Sequence, residues 1–170
     1  MKRNNIIKLS ILNALMPLGS LSFAWYLEVY QHVIPCSLCI LQRWGMYFCL
    51  LFAVLSVVTS FFKLYKTSIS LICISLLGNI FSLIMGLRNV WLQTLPEDKI
   101  PSCGLDIETL LDVVPFLQAV KQTFQGSGDC AQKAWVFLGQ SLAVWASVFF
   151  TLYLILQIIV IYKIIKNKYE

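Results

Sequence analysis

Four runs of apolar residues, each close to the length that crosses a bilayer, leave this chain few folds to adopt. They are Leu9–Val29, Gly45–Phe62, Ile69–Leu87 and Ser141–Tyr162. About 20 helical residues cross a hydrocarbon core of about 30 Å. A helix on the surface of a soluble core keeps a polar face. These runs are apolar nearly all round, so lipid is the better solvent for them. Charged residues make up only 12% of the chain, about half the share of a soluble domain. The expected fold class is an all-α membrane protein: a single domain over residues 1–170, built as a four-transmembrane-helix bundle.

The first run has a competing reading as a signal peptide. Lys2 and Arg3 make a basic start, and Ser22-Phe23-Ala24 resembles a small-residue cleavage site. The apolar stretch is long for a signal core, and its removal would leave three spans and put the basic tail outside. It is expected to stay as a span.

Charge sets the orientation. The N-terminus, the turn after the second run and the C-terminal tail together hold Lys2, Arg3, Lys8, Lys63, Lys66, Lys163, Lys166 and Lys168 against Glu170 alone. The opposite side holds Arg43, Arg88, Lys99, Lys121 and Lys133 against Glu28, Glu97, Asp98, Asp106, Glu108, Asp112 and Asp129. The net charge of +5 is therefore a positive-inside pattern with both termini cytoplasmic. It is not a nucleic-acid signal, and the basic tail is a contact for lipid headgroups.

Two segments face outward, about residues 30–44 and about residues 88–140. In the longer one Leu110, Val113, Val114, Leu117, Val120 and Phe124 recur at steps of three and four. That stripe predicts a short helix, or two broken near Pro115, lying on the membrane surface. Pro96, Pro101, Gly104, Gly126 and Gly128 mark irregular backbone around it.

The six cysteines are unevenly placed. Cys49 and Cys73 lie inside spans, where a cysteine is a small, inert packing residue. Cys36, Cys39, Cys103 and Cys130 all lie on the outer side, although the orientation was read from lysine and arginine alone. In bacteria that side is the oxidising compartment. Three readings of the four remain open. Structural staples are one, and a bond closing Cys103 to Cys130 would contribute about 3.5 kcal/mol by loop entropy. A tetrahedral zinc site is another, though only one of its two pairs is close in sequence. The third is a redox relay between a Cys-x-x-Cys pair at a helix start and a second pair able to exchange with it.

Local electrostatics favour the relay. Pro35 precedes Cys36, and Cys39 falls in the first turn of the second span, where the positive helix end favours a thiolate. Arg43, four residues on, shares a helix face with Cys39 and can also polarise the carbonyl of a ligand. The competing reading of Arg43 is a residue snorkelling at the bilayer edge. His32, the only histidine, reads as an interface residue. No Cys-x-x-Cys-His haem motif and no glycine-rich nucleotide loop is present. The simplest acceptor within reach of a thiolate at the membrane edge is a lipid-soluble quinone.

On these residues the sequence resembles the DsbB family of disulfide bond formation proteins. The resemblance runs over most of the chain. It includes Gln31-His32-Val33, Pro35-Cys36-Ser37-Leu38-Cys39-Ile40-Leu41-Gln42-Arg43, Pro101-Ser102-Cys103, Gly128-Asp129-Cys130-Ala131, Trp135-Val136-Phe137-Leu138-Gly139 and Trp145. It implies a membrane thiol–disulfide oxidoreductase of the bacterial inner membrane that reoxidises a periplasmic DsbA-like thioredoxin-fold protein. It implies catalytic pairs Cys36–Cys39 and Cys103–Cys130, with Cys103 meeting the partner, Cys130 attacking Cys36, and Cys39 facing ubiquinone or menaquinone. The DsbA–DsbB–quinone route is the known example of this chemistry, and it needs an acceptor stronger than glutathione. Arg43 is the expected quinone contact, and Arg88, Trp44 and Trp91 lie at a suitable depth. The alternative from another class is a non-catalytic tetraspan scaffold with structural disulfides in its outer loops.

Overall fold

The computed structural model describes residues 3–96, 114–132 and 135–169. Four long helices dominate it: α1 (Arg3–Gln31), α2 (Ser37–Phe61), α3 (Tyr65–Leu92) and α6 (Leu142–Tyr169). Each is long and apolar enough to cross a membrane. Between α3 and α6 lie α4 (Phe116–Gln125), the single turn α5 (Gly128–Ala131) and a hairpin of β1 (Val136–Phe137) with β2 (Gln140–Ser141). The strands pair antiparallel, Val136 with Ser141 and Phe137 with Gln140. This hairpin is the one departure from an all-helical chain among the described residues. Its two-residue turn holds Leu138 at φ 50° and Gly139 at φ 76°, the left-handed geometry that fits the twist of a hairpin. Glycine accepts it freely, whereas Leu138 is strained there.

α3 is the central helix, packed against both α2 and α6, and α1 closes on α2. The buried face of α3 runs Ser68, Ile72, Ser75, Asn79, Ser82, Met85, Asn89, the three- and four-residue steps of a helix stripe. Apart from Ile72 and Met85 these are small or polar, while large apolar side chains such as Leu77, Ile84 and Leu87 point outward. A soluble protein would invert this pattern. In lipid, apolar surface gains nothing by burial, so small residues and hydrogen bonds hold the helices together. Asn79 Nδ2 donates to Gln157 Oε1 at 3.0 Å and Gln157 Nε2 donates to Ser75 Oγ at 3.2 Å. Pro17 within α1 has no N–H for the carbonyl of Asn13 one turn earlier. The Tyr153 hydroxyl of α6 donates to that carbonyl at 3.1 Å, so the break is satisfied from a neighbouring helix.

α2 and α3 cross at two glycines. A Cβ on Gly78 would lie 2.9 Å from the Gly45 carbonyl and 3.0 Å from Cys49 Sγ. Gly78→Leu should therefore push α3 off α2, at about 1–3 kcal/mol or more for overpacking. Thermal unfolding in detergent micelles checks this: a lowered Tm is expected, and an unchanged Tm would mean that the two backbones do not meet there.

The helix ends differ in detail from the apolar runs. α2 begins at Ser37 rather than Gly45, eight residues ahead of the apolar run, which puts the Cys-x-x-Cys pair at the helix start where its spacing predicts it. α4 occupies the C-terminal part of the expected surface stripe. Leu117 is exposed on it, while Phe124 packs edge-on against Phe81 of α3. Leu110 and Val113 lie outside the described residues, as does Cys103. Cys49 is buried and donates to the Ser75 carbonyl. Cys73 corrects the packing expectation: it is exposed, on the side of α3 turned away from the bundle.

Candidate functional site

The ends of α1, α2, α3 and α6 away from the two termini surround a cavity of about 410 Å³, and three cysteines meet on its wall. Cys36 is the N-cap of α2, at φ −73° and ψ 167°, and its carbonyl accepts from Ile40 N at 3.0 Å. Extended backbone at this position turns the chain into the helix after Pro35. Cys39 follows in the first turn, and the Cys36 and Cys39 sulfurs lie 3.0 Å apart as thiols.

Cys130 arrives from the other end of the chain. It is 1% exposed and packs with Leu38, Met85 and Leu92. Ser37 Oγ lies 3.5 Å from its sulfur, and Cys36 packs against the same cluster, near enough for each thiol to shift the protonation of the other. Gly126 makes this docking possible. It sits at φ 81°, and a Cβ there would come within 2.6 Å of Leu92 and 3.0 Å of Leu38. Arg88 fixes the same corner by donating to the Gln125 carbonyl at 3.0 Å.

Cys36 thus feels both of the other thiols. The Cys130 thiol pulls it down, but the bond to Cys39 and burial outweigh that and leave it pushed up to about 12. The Cys36 thiol and burial likewise hold the Cys130 thiol well above the ordinary range. Both therefore stay protonated at neutral pH while all three thiols are reduced.

α3 lines the opposite wall. Asn89 Nδ2 donates to Cys39 Sγ at 3.5 Å and to Cys36 Sγ at 3.6 Å. Gln93, one turn on, donates to Asn89 Oδ1 at 3.5 Å and to the Cys130 carbonyl at 3.4 Å. Gln42 lies on the wall as well; it is 6% exposed and its Nε2 has no partner. The rest of the lining is mainly apolar, including Leu21, Met46, Ala146 and Phe150.

Arg43 also lines the cavity. Its guanidinium forms an ion pair with Glu28 of α1 and donates to the Ala24 carbonyl at 3.4 Å. It is anchored by protein and does not reach freely for the interface. Two further expected residues lie off this cavity. Trp44 does not line this cavity: it is 67% exposed and belongs to a separate cleft with Trp25 and Tyr47. Arg88 does not line it either: besides its bond to Gln125, its guanidinium lies 5.8 Å from the Trp91 ring. His32 is exposed, at φ 51°.

Sequence reasoning missed Asn89, Gln93, Gln42 and Glu28. The first two did leave a signal, as paired polar residues one helical turn apart at the end of an apolar run, where such groups are costly and mark a site. Chemically, a sulfur in contact with one thiol and packed beside a second is arranged for thiol–disulfide exchange. One neighbour attacks as the other leaves. Among the described residues no three or more His, Cys, Asp or Glu side chains are arranged to hold a metal ion, these three cysteines included.

Comparison with known proteins agrees with that chemistry. The family model described as Disulfide bond formation protein DsbB matches residues 7–160. The chain is 38% identical over 156 residues to Disulfide bond formation protein B of Acinetobacter baylyi, covering 87% of this chain and 88% of that one. It is 34% identical over 145 residues to the protein of the same name from Marinobacter nauticus, covering 85% of each. With that of Psychrobacter arcticus it shares 32% over 161 residues, covering 93% of this chain and 90% of the relative. No solved structure matches the chain.

Proposed function

The chain belongs to the DsbB family of membrane disulfide bond formation proteins, and from that premise we propose that it reoxidises a DsbA-like thioredoxin-fold protein outside a bacterial inner membrane and passes the electrons to a membrane quinone. The observation that carries this reading is the meeting of Cys36, Cys39 and Cys130 on one wall of a largely apolar cavity.

The exchange runs along the sulfurs. A thiolate of the partner attacks Cys103 of a Cys103–Cys130 disulfide, and Cys130 leaves with the electron pair. Cys130 then attacks Cys36 of a Cys36–Cys39 disulfide, forming the Cys36–Cys130 bond and releasing Cys39 as a thiolate. The partner's second thiol resolves its bond to Cys103, and the partner departs oxidised. The freed Cys103 thiolate then attacks Cys130 of the Cys36–Cys130 bond, which restores the Cys103–Cys130 disulfide and releases Cys36, so the Cys36–Cys39 dithiol holds the two electrons for the acceptor and closes again as a disulfide when they leave. Cys130 is the residue that links the two pairs, and its contacts with Cys36 and Ser37 support that role.

The cavity suits a quinone ring on three counts. Its volume of about 410 Å³ is within the usual range for small-molecule sites. Its lining is mainly apolar. The unpartnered Gln42 Nε2 is a buried donor, costly unless a ligand carbonyl accepts from it. Gln42 would bind one carbonyl, Arg43 would hold positive charge beside the ring, and Cys39 would face it. The quinone supplies the two-electron acceptor and leaves as the quinol. Ubiquinone and menaquinone both carry the ring carbonyls that these contacts would serve.

Both termini are assigned to the cytoplasm, supported by the eight basic residues against one acid at the inner ends of the spans. A single experiment tests function and orientation together. Reduced DsbA-like protein is added to membrane vesicles containing this chain and a quinone, and quinone reduction is followed by absorbance. Right-side-out vesicles should turn over and sealed inverted ones should not. No turnover in either would contradict the reading in favour of a scaffold with fixed disulfides. Turnover in inverted vesicles alone would reverse the orientation.

A further inference from the structure

Asn89 is 2% exposed and both of its side-chain ends are used. Its orientation follows from its neighbours. The Cys130 carbonyl can only accept, so Gln93 turns its amide N–H groups toward that carbonyl and toward Asn89 Oδ1. Ser141 Oγ donates to the opposite end of the Gln93 amide, at Oε1. With Oδ1 taken, Asn89 presents Nδ2 to the Cys39 and Cys36 sulfurs at 3.5 and 3.6 Å.

An amide donor gains little from a thiol or a disulfide, which accept weakly, and much more from a thiolate. Its contribution therefore grows as charge develops on sulfur. We propose that Asn89 is a catalytic hydrogen-bond donor to the Cys39 thiolate, held in register by Gln93 as a positioning residue. This rests on the exchange sequence proposed above. As the Cys130 thiolate bonds to Cys36 Sγ, the Cys36–Cys39 bond breaks and its electron pair passes to Cys39. No proton or outside oxidant enters this step. Asn89 stabilises the leaving sulfur, and a better-stabilised leaving thiolate departs faster. Gln93 holds the Cys130 carbonyl and Asn89 together, so the donor is aligned when the attacking cysteine is docked.

The test isolates Cys39. In a Cys36→Ala background, where Cys39 has no disulfide partner in its pair, its alkylation by iodoacetamide is followed against pH in the full-length protein. Adding Asn89→Leu removes the amide donor and keeps the branched outline of the side chain, and Asn89→Ala removes it without adding bulk. Alkylation at neutral pH should fall about tenfold while the alkaline plateau stays the same, and Asn89→Gln, which keeps an amide, should restore part of the loss. Asn89→Ala carries the same test if Asn89→Leu does not accumulate. An unchanged pH profile on loss of the amide would overturn the proposal. Neither the partner nor a quinone takes part in this measurement, so its failure is distinguishable from failure of the relay. Turnover of the Asn89 variants in a Cys36-containing protein should fall in parallel, and wild-type turnover despite the lost thiolate would also overturn it.

Discussion

Cys39→Ser is expected to lower partner-driven quinone reduction by about a thousandfold or more, the scale on which removal of a covalent catalyst is felt. Serine keeps the size and the hydrogen bonds of the first turn of α2, so the cavity should persist. What disappears is the sulfur that closes the Cys36–Cys39 disulfide. Without that bond, Cys130 has no oxidised sulfur to attack, and no thiolate is released toward the cavity. One equivalent of partner should still be oxidised by a Cys103–Cys130 disulfide, after which turnover stops. The measurement is the single-turnover yield of oxidised partner beside the steady-state rate. A full steady-state rate in Cys39→Ser would mean that electrons leave through another group.

The second large effect separates the two halves of the route. Cys130→Ser should abolish turnover with the dithiol partner to a similar degree. Quinone reduction by a chemically reduced Cys36–Cys39 pair should change by less than about threefold, since Cys130 takes no part in that half-reaction. The two rates are compared in the same preparation. Their equal loss would point to collapse of the site around Leu38, Met85 and Leu92, where Cys130 packs. Equal retention would mean that the loop cysteine is not on the path.

Much of this was legible in the residues. The apolar runs located the four long helices because a span must satisfy its backbone internally, and length alone then marks it. The Cys-x-x-Cys pair at a helix start and Arg43 four residues on were readable for the same reason, since local spacing fixes helix geometry. The rest needed tertiary contacts. Cys130 is far from Cys36 in sequence, and only the docking of Gly126 onto Leu38 and Leu92 brings it there. Arg43 was read by its distance along the helix from Cys39, but its partner Glu28 lies on α1. Trp44 and Arg88 lie at the expected depth, and depth says nothing about which way a helix face points. Asn89 and Gln93 stand beside Arg88 in the sequence, on the face that turns inward.

The same reasoning explains why a polar seam runs through the bundle. Ser10, Ser56, Ser60 and Ser68 at one end and Asn79, Gln157 and Ser75 further along are fully buried. In water such a core would be a weak driver of folding. In lipid it specifies which helix faces meet, and it aligns α2 against α3 so that Cys36 and Cys39 come under Asn89.

Direct mapping of the sulfur bonds tests the central claim most closely. In a Cys39→Ala, Cys103→Ser protein only Cys36 and Cys130 remain of the four outer cysteines. Mild oxidation of the folded protein followed by mass spectrometry of its peptides should recover a Cys36–Cys130 disulfide as the main product. Recovery of both as free thiols, with no such bond formed under oxidation that pairs Cys36 with Cys39 in the wild-type chain, would contradict the account.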